Sequence, residues 1–149
     1  MSGDGIKIIA NNRKAHFNYF LSDFLEAGIE LKGTEIKSLR VTGATLNDAY
    51  VVIRNDEAEL INMHIKTYDH GNLFNHDPLR TRKLLLHKKE IRWLAQKIKT
   101  EGYTVVPTKI YLRKGKAKIE IALAKGKKNY DKRETIKKRD IDRELAKGM

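Results

Sequence analysis

Residues 103–124 read Tyr-Thr-Val-Val-Pro-Thr-Lys-Ile-Tyr-Leu-Arg-Lys-Gly-Lys-Ala-Lys-Ile-Glu-Ile-Ala-Leu-Ala. In the second half of this segment, apolar side chains at positions 117, 119, 121 and 123 alternate with Lys118, Glu120 and Ala122. A period of two is typical of a β-strand, and residues 113–116, Arg-Lys-Gly-Lys, can form a tight turn. The segment therefore predicts a long hairpin with one buried side, in which Pro107 marks an edge or a bulge.

Two further segments on the N-terminal side have strand character. Residues 49–54 and 59–65 flank Asn-Asp-Glu-Ala and predict a second hairpin, because Asn and Asp tolerate turn geometry. Residues 15–31 are rich in aromatic and aliphatic side chains, which favours one long, bent strand. Gly28 within it indicates a bulge or a close backbone approach.

Two segments have helical spacing. Residues 87–100 carry apolar side chains at 91, 94, 95 and 98 and end before Gly102, which predicts an amphipathic helix. Residues 35–41 predict a shorter helix, with Thr34 as its N-cap and Gly43 as its stop. Five or six strands and few helices are typical of a mainly β (α+β) fold, and we predict a small oligonucleotide-binding (OB) type β-barrel.

The barrel is expected to occupy residues 1–126 of the 149-residue chain, and residues 127–149 are expected to form a basic tail. Apolar density falls in this tail, whose large aliphatic side chains are Ile136, Ile141 and Leu145. Such a segment cannot build a core, so we expect it to be disordered when free and to fold into a helix on a partner. The absence of cysteine, of a secretory signal and of a long apolar run leads us to expect a cytoplasmic protein.

Positive charge is concentrated in one part of the sequence. The formal net charge is +12, and residues 80–133 hold 18 basic and 4 acidic side chains, whereas residues 1–79 hold 8 and 11. Residues 125–133, Lys-Gly-Lys-Lys-Asn-Tyr-Asp-Lys-Arg, add an aromatic ring to five cations. Clustered cations favour a phosphate backbone and the ring can stack on a base, so RNA is the expected partner. A merely solvated basic surface is the alternative, and it applies equally to the lysines and arginine on the outer side of residues 88–99.

An enzymatic alternative rests on the metal-ligating side chains of residues 64–77. They comprise His64, Asp69, His70, His76 and Asp77. Their spacing matches no metal-site motif, and the sequence has no nucleophile elbow or phosphate-binding loop. The sequence therefore supports a metal-dependent nuclease less well than a binding protein. A generic ribosome-associated RNA-binding barrel is a third hypothesis. No metal and no cofactor is expected.

Six blocks that run in order along the chain carry a resemblance to a known family. The blocks are Asn12-Arg-Lys-Ala15, Glu26-Ala-Gly-Ile29, Lys32-Gly-Thr-Glu-Ile-Lys-Ser-Leu-Arg40, Asp77-Pro-Leu-Arg-Thr-Arg-Lys-Leu-Leu-Leu-His87, Glu101-Gly-Tyr-Thr-Val-Val-Pro107 and Ala124-Lys-Gly-Lys-Lys-Asn-Tyr-Asp-Lys-Arg133. With these blocks the chain resembles the SmpB, or SsrA-binding protein, family.

The resemblance implies a non-enzymatic RNA adaptor of bacterial trans-translation. Such an adaptor binds the transfer-RNA-like domain of transfer-messenger RNA and delivers it to stalled ribosomes, while its tail probes the empty message channel. The implied partners are transfer-messenger RNA, the small-subunit decoding centre with its message channel, and elongation factor Tu through the RNA. Neither DNA nor a membrane is an expected partner.

The resemblance also implies positions that bind the transfer-RNA-like domain. Asn12 is expected to face a base edge, Glu26 to accept from amino or 2′-hydroxyl groups, and Leu85 to pack on an unstacked base. Each has a structural alternative: Glu26 can satisfy backbone groups beside Gly28, and Leu85 can belong to the core. The full expected set is Asn12, Arg13, Lys14, Glu26, Ala27, Gly28, Arg82, Lys83, Leu85 and Lys125, of which Arg82, Lys83 and Lys125 are expected to hold phosphates.

A second implied set lies at the base of the tail and within it. It comprises Lys127, Lys128, Tyr130, Asp131, Lys132, Arg133, Lys137, Lys138 and Arg139, which are expected to contact the decoding centre and the message channel. Tyr130 stands where other members often carry histidine, so stacking is retained while a titratable imidazole is not.

Overall fold

The computed structural model describes residues 6–67 and 75–127 of the chain. The elements follow one another as β1 (Ile6–Asn11), α1 (Arg13–Asn18), β2 (Tyr19–Ile29), α2 (Gly33–Thr42), β3 (Tyr50–Arg54), β4 (Glu57–Ile61), β5 (Arg82–Leu85), α3 (Lys88–Glu101), β6 (Thr104–Arg113) and β7 (Lys116–Gly126). The predicted hairpin of residues 103–124 is β6 and β7, which pair from Thr104↔Ala124 to Arg113↔Lys116. Their register shifts between Pro107 and Lys109, so the predicted bulge is confirmed.

Six strands close into a barrel. Antiparallel neighbours run from β6 through β7, β2, β5, β4 and β3, and β3 returns to β6 at Val51↔Val105. The remaining edge of β6, residues 109–113, pairs with β1. The predicted mainly β, OB-like fold is therefore confirmed, with one strand more than the sequence indicated.

The barrel interior is filled by the side chains that the alternation placed inward. Ile119, Ile121 and Leu123 of β7 lie in the main core with Ile110 of β6, and α3 adds Ile91 and Leu94. The prediction of one buried side is wrong at the far end of the hairpin, because Val106, Ala122 and Ala124 are buried on the other side. There Ala15 of α1 packs on Val106 and Ala124 in a second, smaller cluster.

The segment before β2 differs from the sequence prediction. Residues 15–18 belong to α1 rather than to a strand, and β2 begins at Tyr19. Asn12 explains the difference, because its side-chain oxygen accepts a hydrogen bond from the Ala15 amide at 2.9 Å and so begins a helical turn. A six-residue helix has too few residues to show its own periodicity.

Both predicted helices are present. α3 ends at Gly102, whose φ of +71° is the left-handed conformation that glycine adopts without strain. The N-terminus of α2 differs from prediction, because the Glu35 carboxylate accepts from the Lys32 amide at 2.7 Å. Thr34 instead makes a 2.9 Å hydrogen bond with Nδ1 of His76. Among the helices of the described ranges, none is both long and apolar enough to cross a bilayer.

Candidate nucleic-acid interface

One row of residues crosses four strands on the outside of the barrel. Tyr111 pairs with Lys118, Lys118 with Gly28, and Gly28 with Leu85. Successive side chains of a strand point to opposite faces, and the neighbours of these residues along the chain lie in the core. The row therefore faces outward. We use the name Leu85 face for this row, the parallel row Lys109, Glu120 and Glu26, and the side chains of Lys83 and Arg113, which lie two residues from Leu85 and Tyr111 along their strands.

Leu85 is a ridge between two grooves on this face. Its side chain is 50% exposed although it follows the buried Leu84 in β5. One groove, of about 700 Å³, lies between Leu85 and the β3–β4 turn, and its lining includes Glu26, Lys83 and Lys118. The groove on the other side of Leu85, of about 720 Å³, is lined by Lys32, Arg80, Lys116 and Lys118 among others.

Gly28 allows Leu85 to lie flat against the sheet. A Cβ atom at position 28 would stand 3.2 Å from Cβ of Leu85 and 3.3 Å from its Cδ1. Contacts this short would push the leucine outward, so the predicted close approach at Gly28 is confirmed. The glycine and the exposed leucine thus form one structural unit of the face.

The carboxylate of Glu26 is held from the side of β6. The hydroxyl of Tyr111 donates to Oε2 of Glu26, and Nη1 of Arg113 lies 3.1 Å from the same carboxylate. Burial raises the pKa of Tyr111, and its hydrogen bond to Glu26 raises it further. The phenol is therefore a neutral hydrogen-bond donor throughout the physiological pH range. The side chain of Glu26 remains 35% exposed and can accept further hydrogen bonds.

Lys83 stands at the rim of the first groove, where its ammonium lies 2.7 Å from Oε2 of Glu57. The hydrogen bond to this carboxylate, reinforced by its charge, raises the pKa of Lys83. Both side chains are exposed, and exposed ion pairs contribute little net free energy. A phosphate can therefore replace Glu57 at small cost.

Three residues of the expected RNA-binding set are buried inside the protein, and Asn12 and Ala27 are two of them. The Asn12 amide nitrogen donates to the carbonyl groups of Leu46 at 3.1 Å and Pro107 at 2.8 Å, and its oxygen caps α1. Its side chain is almost wholly buried, so this geometry offers no edge to a base. Ala27 is also buried, because it lies between Glu26 and Gly28 and faces the core.

Arg82, expected to hold a phosphate, has no exposed surface. Its Nε donates to Glu35 at 2.6 Å, and its terminal nitrogens donate to the carbonyl groups of Met63 at 2.6 Å and Pro78 at 3.1 Å. With every nitrogen engaged, the guanidinium ties α2 to β5, and the geometry does not support direct phosphate binding. Sequence reasoning could not separate Arg82 from Lys83, which are adjacent cations that alternate between core and solvent.

The other expected cations lie at the opposite end of β7. Lys125 pairs with Phe20, whereas Lys118 pairs with Gly28. Lys125 is seven residues from Lys118 along β7, which corresponds to roughly 23 Å. Lys125 donates to the Glu101 carbonyl at 2.7 Å and lies 4.4 Å from the centre of the Tyr103 ring. Lys127 donates to the His16 carbonyl at 3.3 Å.

The members of the expected RNA-binding set that are not buried are therefore divided between two regions. Glu26, Gly28, Lys83 and Leu85 come together on the Leu85 face. Arg13 and Lys14 belong to α1, away from that face, and Lys14 forms an ion pair with Asp48 at 3.0 Å. The remaining members of the expected tail set lie outside the described residues. They are Lys128, Tyr130, Asp131, Lys132, Arg133, Lys137, Lys138 and Arg139.

The Leu85 face also includes residues that the sequence reasoning missed. Lys118, Tyr111 and Arg113 were not selected, although the alternation of the hairpin had already placed Lys118 on its polar side. For Tyr111 and Arg113 the informative contact is with Glu26, which is distant in sequence. That contact can be found only once the barrel has closed.

The residues of the nuclease alternative are dispersed where they are described. Both ring nitrogens of His76 are hydrogen bonded, Nδ1 to Thr34 and Nε2 to the Ile65 carbonyl at 2.8 Å. Asp77 accepts from the Leu79 amide at 2.9 Å. Residues 6–67 and 75–127 contain no group of three or more potential metal ligands, and Asp69 and His70 lie outside those ranges.

Comparison with known proteins assigns the chain to a family. A family model described as SmpB protein matches residues 9–149. The chain belongs to the SmpB family. The SsrA-binding protein of Enterococcus hirae is 57% identical over 147 residues, which cover 99% of this chain and 95% of the relative. The SsrA-binding protein of Caldicellulosiruptor saccharolyticus is 56% identical over 146 residues, which cover 98% and 92%.

A solved structure agrees with this membership of the SmpB family. The chain is similar to one described as "tmRNA-SmpB: a journey to the center of the bacterial ribosome", with a TM-score of 0.68 and 44% sequence identity. The match covers 79% of this chain and 83% of the solved one. At this level of identity the likeness extends to the sequence as well as to the fold.

Proposed function

We propose that the chain is an RNA-binding adaptor of trans-translation, which binds the transfer-RNA-like domain of transfer-messenger RNA and delivers it to stalled ribosomes. Membership of the SmpB family supports this function, as do relatives that are named for binding SsrA. The observation that carries the proposal is the convergence of Glu26, Gly28, Lys83 and Leu85, from two separate blocks of resemblance, on one outward face. The ribosome named with the structural relative supports the second partner and a cytoplasmic site of action.

Each component of the Leu85 face has a role in this function. Leu85 provides an apolar surface on which an unstacked base can pack, and Glu26 accepts hydrogen bonds from amino or 2′-hydroxyl groups. Lys83 holds a phosphate in the first groove, and Lys118, which lines both grooves, holds one on either side of the ridge. This division of labour suits a folded RNA with exposed bases, because phosphate contacts position it and the base contacts select it.

We propose a second functional part in residues 127–149, which follow the barrel of residues 1–126. Lys127, Lys128, Tyr130, Lys132 and Arg133 would contact the decoding centre, and the remainder would form a helix in the message channel. The basic composition of this segment supports contact with ribosomal RNA. We propose a binding role without catalysis, and charged transfer-messenger RNA would reach the ribosome with elongation factor Tu.

A competition assay tests the proposed function. Labelled transfer-messenger RNA is bound to the protein, and unlabelled transfer-messenger RNA or an unrelated structured RNA of equal length is added. We expect the unrelated RNA to compete at least about tenfold less well, because base contacts add to the shared phosphate contacts. Equal competition would favour the generic RNA-binding alternative. Cleavage of the labelled RNA in the presence of Mg²⁺ would favour the nuclease.

Substitution of Leu85 provides a matched pair of variants. Leu85 and Leu79 are exposed to 50% and 52%, so their replacement by alanine removes similar apolar surface. We expect Leu85→Ala to weaken transfer-messenger RNA binding by about tenfold, the effect of losing the apolar contact of about two buried CH2 groups with a base. Leu79→Ala should bind as the unsubstituted protein does. Equal affinities of the two variants would remove Leu85 from the interface.

A further inference from the structure

The Leu85 face presents a carboxylate where a polyanion is proposed to bind. Glu26 pairs across the sheet with Glu120 and lines a groove of mixed charge, and a free carboxylate there would be repelled by phosphate while its long side chain sampled several rotamers. A glutamate can act as a selective acceptor there only if its charge is offset and its orientation is fixed. The structure provides both conditions through residues of β6.

Arg113 offsets the charge. Its Nη1 lies 3.1 Å from the carboxylate of Glu26, and about one third of each side chain is exposed. The pair therefore stands at the surface, where a ligand can reach it. Net charge on the pair is close to zero, which reduces the repulsion of an approaching phosphate.

Tyr111 fixes the orientation. Its side chain is only 5% exposed, and its neighbours Lys109 and Arg113 each carry a cation 5.9 Å from the ring centre. The hydroxyl donates to Oε2 of Glu26, so a nearly immobile group holds one oxygen of the carboxylate. A carboxylate has about four acceptor positions, so Tyr111 and Arg113 leave others for a ligand in the groove that Glu26 lines.

We propose that Tyr111 is a positioning residue for RNA recognition, which holds the Glu26 carboxylate in the orientation that accepts hydrogen bonds from an amino or 2′-hydroxyl group of the RNA. This inference rests on the proposed function and adds to it a residue that does not itself touch the ligand. The pKa of Tyr111, raised by burial, agrees with a permanent donor.

A double-mutant cycle tests the role of Tyr111. The affinity for transfer-messenger RNA is measured by fluorescence anisotropy for the unsubstituted protein, Tyr111→Phe, Glu26→Ala and the double variant. Tyr111→Phe removes one oxygen and keeps the ring, so the barrel should fold normally. We expect it to weaken binding by about tenfold, the effect of losing a hydrogen bond to a charged group. In the Glu26→Ala background the same substitution should change binding less than about twofold.

Tyr103→Phe is the matched control, because Tyr103 lies at the other end of β6 beside Lys125. It should bind as the unsubstituted protein does. Salt dependence supplies a second readout: Tyr111→Phe should leave the slope of log affinity against log salt unchanged, whereas Lys118→Ala should reduce it by about one.

Three results would overturn the proposal. They are unchanged affinity of Tyr111→Phe, an equal loss in the presence and absence of Glu26, and a loss matched by a large fall in the free energy of unfolding. If instead the proposed function is wrong, the unsubstituted protein will itself show no preference for transfer-messenger RNA over an unrelated RNA. That result is distinct from a failure of the Tyr111 proposal alone.

Discussion

Asn12 shows why a residue's chemistry alone does not assign its role. An amide side chain that can pair with a base edge can pair equally well with backbone groups, and here it joins the carbonyl groups of Leu46 and Pro107 to the start of α1. These three contacts link segments up to 95 positions apart in the sequence. Asn12 therefore supports the junction of β1, α1 and β6, and its expected contact with RNA stays a prediction.

The stability of an Asn12 variant tests this structural role. Asn12→Ala would remove the hydrogen bonds to the carbonyl groups of Leu46 and Pro107 and the cap on the Ala15 amide, and we expect it to lower the free energy of unfolding by about 3 kcal/mol. Asn11→Ala is the matched control, because Asn11 is exposed and adjacent, and it should change the value by less than about 0.5 kcal/mol. Urea denaturation measures both. If the two variants are equally stable and only Asn12→Ala loses RNA affinity, Asn12 contacts the RNA directly.

At the scale of elements, a buried ion network joins α2 to the segment that leads into β5. The Glu35 carboxylate accepts from Arg82 at 2.6 Å, from Arg80 at 2.7 Å and from the Lys32 amide at 2.7 Å. Burial by itself would raise the pKa of Glu35, but the hydrogen bonds from Arg80, Lys32 and Arg82 outweigh it and hold the pKa below its usual range. Arg80 also lines the second groove, so this network supports one side of the Leu85 face.

Replacement of Glu35 should destabilise the protein in a pH-dependent way. Glu35→Gln leaves Arg82 buried without its counter-charge, and we expect a loss of about 3 kcal/mol in the free energy of unfolding at pH 7. The depressed pKa of Glu35 contributes stability above the pKa of the unfolded chain, and this contribution disappears as pH falls through the folded value. The difference between variant and unsubstituted protein should therefore shrink below about pH 4.

The control for this prediction is Glu59→Gln, which affects the more exposed pair with Arg54. Glu59→Gln should lower the free energy of unfolding by less than about 1 kcal/mol at any pH. The free energy of unfolding should be measured by urea denaturation at several pH values, because guanidinium chloride is a salt and would screen the ion pairs. A constant difference between Glu35→Gln and the unsubstituted protein from pH 7 to pH 3 would contradict the assigned role of the carboxylate.

The elements that the sequence predicted are those whose pattern is local and repeated. The alternation in residues 117–123 and the helical spacing in residues 91–98 predicted β7 and α3, and the barrel followed from the strand content. α1 was missed because a single capping hydrogen bond of Asn12 begins it and six residues show no helical period, and β1 because six residues on a sheet edge show little alternation. For the site, family resemblance predicted Glu26 and Leu85, while Tyr111 and Arg113 depend on contacts across 85 and 87 positions.

The distribution of function is a property of the whole molecule. The described residues form a barrel closed by its own strands, and the strands of that barrel supply the residues that define the Leu85 face. The region beyond the barrel contributes eight basic and five acidic side chains in residues 128–149, so its net charge is small compared with that of residues 80–133. Binding of transfer-messenger RNA and action on the ribosome should therefore be separable.

Removal of residues 128–149 tests this separation. Because the truncated chain keeps the Leu85 face, we expect it to bind transfer-messenger RNA within about threefold of the full chain, as a net loss of three positive charges predicts only a modest fall in affinity. Tagging of peptides on stalled ribosomes should be abolished, since the proposed contacts with the decoding centre and message channel are gone. A chain whose residues 128–149 are scrambled keeps the length and charge of the tail, and it should regain RNA affinity without regaining tagging. If the scrambled chain tags normally, the tail acts through its charge alone; if the truncated chain tags normally, the tail has no part in this function.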